Sequence, residues 1–128
     1  MARSLRRLEM LQAFRKYARL GLSRTQTPTH LIYARLRGVS RTEREARNLL
    51  AVYDTVRLLR LERSPALQVV YDILFDPLLP FRRKNEMTWA VRRYAAARHY
   101  DERTVYRQLE RIERMYLSLR TAAEEMEE

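Results

Sequence analysis

The chain has 128 residues, a net charge of +10 and no cysteine. That limits it to one domain or two very small ones and excludes disulfides, thiolate zinc sites and thiol nucleophiles. Two Gly and four Pro against many Leu, Ala, Arg and Glu predict an all-α chain of about six helices with no sheet. A hydrophobic share of 46% is too apolar for disorder.

Ser4 is expected to cap a first helix running to about Leu20, with Leu5, Leu8, Leu11, Phe14 and Ala18 inward and Gly21 as a left-handed stop. Thr27-Pro28 reads as a cap followed by a first-turn proline, opening a short helix that Gly38 closes. Ser40-Arg41-Thr42-Glu43 has the form of a capping box, so a long helix is expected from there to about Glu62. Its apolar residues, from Ala46 through Leu61, cover more than one face and mark it as the central helix. Ser64-Pro65 repeats the cap-then-proline pattern before Leu67, Val70, Tyr71, Ile73, Leu74 and Phe75. Asp76-Pro77 and Pro80 end that helix, because proline lacks the amide and forces its predecessor out of helical geometry. The basic stretch Phe81 to Asn85 is a connector.

From Thr88 onward the spacing predicts a helix-turn-helix. Thr88 is expected to cap a helix from Trp89 to about Arg98, His99-Tyr100 to turn, and Asp101 to cap the second helix. With Val105 buried, Ala95 falls where the helices cross closely, and Trp89 and Tyr94 are expected in the core. Arg98 stands where an apolar residue is usual, and His99 replaces a common turn glycine but tolerates the left-handed region.

On the second helix Val105, Leu109, Ile112, Tyr116 and Leu119 stay within about 40° of one line and face a core. Arg103, Arg107, Arg111 and Arg114 project roughly 160° to 240° away, where guanidinium groups meet water or a polyanion. The acidic tail is expected to fray.

The charge is unevenly spread. Residues 1–41 carry 10 basic and 1 acidic side chains, 42–81 carry 5 and 6, 82–120 carry 11 and 5, and 121–128 carry 4 acids. Two basic segments flanking a neutral middle fit an anionic partner. An arginine-rich solvated surface fits equally well, since 24 of the 26 basic residues are Arg. The expected organisation is a basic helical segment at 1–41, a central helical core at 42–80, a helix-turn-helix at 81–120 and an acidic tail at 121–128.

Met87-Thr88-Trp89 followed by Asp101-Glu102-Arg103-Thr104-Val105-Tyr106-Arg107 resembles the sigma-factor-like C-terminal region of phage transcriptional regulators of the ArpU/RinA type. The likeness covers roughly residues 42–119 and is best over 87–112; residues 1–41 have no counterpart in it. It implies sequence-specific binding of double-stranded DNA near a promoter, with the second helix in the major groove, and contact with RNA polymerase.

Residue chemistry supplies the candidate DNA-binding set. Arg103 and Arg107 can grip guanine N7/O6 or phosphate, Thr104 and Gln108 offer shorter hydrogen-bonding groups, and Glu102 can accept from cytosine or merely favour a helix N-terminus. Arg92 and Arg93 suit backbone phosphates. Tyr106 and Arg111 complete the set, although Arg111 and Arg114 can equally pair with Glu110 and Glu113. No catalytic constellation, metal site or cofactor motif is expected: His30 and His99 are isolated, and glycine-rich phosphate loops are absent.

The expected role is a DNA-binding transcriptional regulator of phage or mobile-element origin. Two alternatives stay open: a viral DNA-packaging recognition subunit, and a protein-interaction module using the Val105–Leu119 seam. The apolar first helix also allows a homo-oligomer. The longest apolar run worth noting, Leu49 to Tyr53, is far short of the about 20 residues that span a membrane, so no membrane association and a bacterial cytoplasm or nucleoid location are expected.

Overall fold

The computed structural model describes the backbone of residues 2–21, 28–76 and 85–127, and the side chains of those between 7 and 124. The described residues form helices α1 (Ala2–Arg19), α2 (Thr29–Val39), α3 (Glu43–Leu61), α4 (Ala66–Val69), α5 (Glu86–Arg98) and α6 (Glu102–Glu127). The chain of α4 continues into a π-helical turn, Val70–Leu74, closed by the Phe75 amide donating to the Val70 carbonyl at 2.9 Å. The all-α expectation holds, with no strand among the described residues.

α3 is central because apolar and small residues occupy most of its circumference. Leu49, Val52, Val56 and Leu59 form a buried stripe, and Ala46, Ala51 and Thr55 extend the burial around the helix. α6, α1, α2 and α4 therefore all pack on it. The Thr55 hydroxyl keeps its burial cheap by donating to the Ala51 carbonyl at 2.7 Å. Phe14 of α1 lies 5.8 Å from Phe75 and 5.9 Å from Tyr116 of α6, and Tyr17 stacks on Phe75 at 5.8 Å. Each such ring contributes about 1.5–3 kcal/mol through burial alone.

The helix ends follow the sequence with instructive shifts. Gly21 is left-handed (φ 71°), as expected. α1 begins at Ala2, so Ser4 lies inside the helix and is not its cap. Its inward seam is Met10, Leu11, Ala13, Phe14 and Tyr17, while Leu8 is 40% exposed and the Leu5 side chain lies outside the described residues. Thr27 also lies outside them. Pro28 itself is the N-cap of α2, and Gly38 sits within that helix, which ends at Val39. The expected capping box is displaced by two residues. Thr42 is the N-cap, its hydroxyl accepting from the Glu45 amide at 3.0 Å, because Ser40 is spent closing α2 by donating to the Leu36 carbonyl. The Glu45 carboxylate pairs with Lys16 instead of reaching back.

α3 stops in a Schellman turn with Arg63 left-handed (φ 53°): Ser64 donates to the Leu59 carbonyl and Arg63 to that of Arg60. The Ser64 hydroxyl then accepts from the Ala66 amide at 3.2 Å, as the cap-then-proline pattern predicts. Leu61, expected inward, is 71% exposed because it falls in this last turn beyond the reach of a neighbour. Phe81 to Lys84, read as a connector, lies outside the described residues. The acidic tail does not fray at residue 121: α6 continues to Glu127, with Arg120 pairing Glu124 at 3.0 Å.

A polar network locks α1, α3 and α6 together. Arg44 donates two bonds to Glu9, Asn48 donates a third to Glu9, and the buried Arg120 donates through Nε to the Asn48 side-chain oxygen. The Arg44 guanidinium, aided by Asn48, holds the Glu9 carboxyl down to about 2 despite partial burial. Its folded value is below the ordinary 4.5, so its contribution is fully present above that pH and is lost as pH falls from 4.5 through about 2. In thermal melts followed by circular dichroism, Glu9→Gln is expected to lower the midpoint at pH 7, and the gap from the unsubstituted protein should shrink as pH is lowered to 2. A gap independent of pH would contradict the ion-pair account.

Candidate nucleic-acid interface

The α5–α6 pair is set by its three-residue turn. His99 takes the left-handed conformation (φ 58°), as the sequence suggested, and makes a Schellman turn: Tyr100 donates to the Ala95 carbonyl at 2.9 Å and His99 to that of Ala96 at 3.4 Å. The Asp101 carboxylate then accepts from the Arg103 amide at 2.8 Å, opening α6 with the expected cap. Ala95 is buried at the crossing, where its single methyl permits close approach, and Tyr94 is buried beside it. Arg98, the odd residue of the motif, leaves the core entirely. It pairs with Asp72 of the π turn at 2.9 Å and lies over the Tyr94 ring at 5.3 Å, tying the end of α5 to the body of the fold.

Two expectations for α5 fail. The helix starts at Glu86, so Thr88 lies inside its first turn and is not a cap. Trp89 is 54% exposed, because Ala90, Val91, Tyr94 and Ala95 already form the inward seam and place residue 89 on the opposite side.

α6 is two-sided. Val105, Leu109, Ile112 and Tyr116 are buried, with Leu119 half-buried at the edge of the seam. That seam is covered by helices of the same chain. Arg103, Arg107 and Arg114 are exposed and make no ion pair among the described residues. Arg111 shares their side but pairs with Glu62 at 2.6 Å, reaching back to the end of α3 rather than to Glu110. Glu113 is likewise not a partner of Arg114: it is buried and accepts from Arg7 of α1 at 2.6 and 3.0 Å.

The remaining candidates divide by position. Glu102 is exposed at the N-terminus of α6, and its carboxylate lies 3.6 Å from Arg92, so Arg92 sits beside the start of the arginine face. Arg93 turns to the other edge of α5, its guanidinium 4.7 Å from the centroid of the Trp89 indole. Thr104 and Tyr106 are half-buried on the flanks of α6. Gln108 is half-buried as well, and its side-chain oxygen is fully covered, with no hydrogen-bond partner among the described residues. The structure thus brings together Arg92, Glu102, Arg103, Arg107 and Arg114, and sets Arg93 apart. Arg7 and Glu62, which flank α6 from α1 and α3, were not legible locally, since each meets its partner across a long stretch of chain.

No helix among the described residues is long and apolar enough to cross a membrane. No protein-family model, curated protein or solved structure matches the chain.

Removing the cap with Asp101→Ala is expected to destabilise the fold by about 1 kcal/mol in urea denaturation, with Asp101→Asn restoring most of it. The exposed Arg111–Glu62 pair should couple by less than about 1 kcal/mol in a double-mutant cycle, half-exposed as both side chains are.

Proposed function

We propose that the chain is a double-stranded DNA-binding protein that lays the N-terminal half of α6 in the major groove and acts as a transcriptional regulator. The observation that carries the DNA reading is the exposed, uncompensated set Arg103, Arg107 and Arg114 on the side of α6 opposite its buried seam. A major groove about 12 Å wide admits one helix, and in a helix-turn-helix the early residues of the second helix meet the base edges. Arg103 and Arg107, about 6 Å apart along the axis at 1.5 Å per residue, are the base-edge or phosphate contacts.

Arg92 positions the helix by gripping a phosphate, after releasing an exposed and therefore weak pairing with Glu102. Glu102 is then free to accept from a cytosine amino group. The regulatory role, with RNA polymerase as a further partner, is supported by the resemblance over residues 87–112.

Duplexes selected from a random pool by the purified protein provide the test. Arg103→Ala with Arg107→Ala is expected to weaken binding to the best selected duplex by at least roughly thirtyfold, at about 1–3 kcal/mol for each contact, while the helical spectrum stays intact. Arg114→Ala should weaken all duplexes alike and reduce the log–log salt slope by about 0.9 if it neutralises one phosphate. Unchanged affinity and a flat salt response would overturn the DNA reading.

A further inference from the structure

We infer that the outer side of α5 is a stacking site for an unpaired nucleobase, with Trp89 as its platform; this rests on the nucleic-acid reading above. Trp89 is the one tryptophan of the chain. The core does not use its indole, which is 54% exposed while the other side of α5 supplies the buried seam. Its surroundings define what can cover it. The Arg93 guanidinium lies 4.7 Å from the ring centroid, in a cation–π contact with the indole. Beside the pair is a recess of about 290 Å³ between α5 and the π turn, whose apolar walls include Ile73, Ala90 and Ala97. At roughly 30 Å³ per water it has room for about ten waters, ample for a planar ring system.

The charges decide which part of a nucleic acid enters. Asp72 and Asp76 line the recess together with Arg93 and Arg98, so its lining carries no net charge and holds no excess of cations to draw a phosphate inside. Asp72 is compensated by Arg98 at 2.9 Å, which lets an uncharged group lie there without meeting a bare carboxylate. Arg92 and Arg93 stand exposed on the outer side of α5, where a backbone phosphate would run. A flat base therefore goes inward onto the indole and its phosphate stays at the arginine rim. Paired bases in a duplex hide their faces in the stack, so the base must come from a single strand or a locally opened duplex; such stacking is worth about 1–3 kcal/mol per base and is tolerant of sequence.

Because Trp89 is the sole tryptophan, its emission reports on the site directly. The full-length protein is titrated at low salt with a fluorescently labelled oligothymidylate of about 12 nucleotides, within the usual site sizes, and with a duplex of equal length. Indole emission and the anisotropy of the labelled DNA are both followed. The expected result is saturable quenching by the single strand that exceeds quenching by the duplex. Trp89→Ala should weaken single-strand affinity by roughly 5- to 150-fold and leave duplex affinity unchanged, and Trp89→Phe should retain most of the single-strand binding.

Single-strand binding without a change in indole emission overturns the proposal, as does equal loss for both DNA forms in Trp89→Ala. Duplex binding in which neither DNA form depends on residue 89 overturns it too, while leaving the major-groove reading intact. Failure of both DNA forms to bind the unsubstituted protein defeats the nucleic-acid reading and this inference together.

Discussion

The rotational setting of α6 about its own axis governs what the rest of the surface can do. Val105, Leu109, Ile112 and Tyr116 are driven out of water against the body of the fold, and burial of four such side chains far outweighs any single exposed ion pair. Once that seam is seated, helical geometry leaves Arg103, Arg107 and Arg114 no direction but outward. The cationic face is thus a consequence of core packing and would persist at salt concentrations that weaken surface pairing.

Secondary contacts hold this setting from both sides. Arg7 meets the buried Glu113 on one flank of α6, and Glu62 meets Arg111 on the other. Farther along, Arg120 is anchored through Asn48 to the Glu9–Arg44 pair, which joins α6 to α1 and α3 at once. At the start of α6 the Asp101 cap and the left-handed His99 fix the direction in which the helix leaves the turn. These polar contacts specify geometry, and the apolar seam stabilises it.

Periodicity made the two faces of α6 legible in the sequence, because both follow from spacing within one helix. The His99 turn and the Asp101 cap were readable for the same reason, being local chemistry. What escaped the sequence depends on partners distant along the chain. The capping box shifted to Thr42 because Ser40 was needed by the preceding helix. Gln108 looked like an outward hydrogen-bonding group, yet its side-chain oxygen is covered. Trp89 looked like core from apolar helical spacing; α5 fills its inward seam with smaller residues and Tyr94, and the indole is left outside. Arg98 seemed to disrupt the motif until Asp72, 26 residues away, supplied its partner.

The absence of cysteine allows the central claim to be measured one position at a time. Single cysteines introduced as Arg107→Cys, Leu109→Cys, Ile112→Cys and Arg114→Cys would be modified with a thiol reagent, with and without saturating duplex. The two-sided α6 predicts slow modification at 109 and 112 under both conditions, and rapid modification at 107 and 114 that bound duplex suppresses. Slow modification at 107 and 114 without DNA, or rapid modification there that bound DNA leaves untouched, would contradict it.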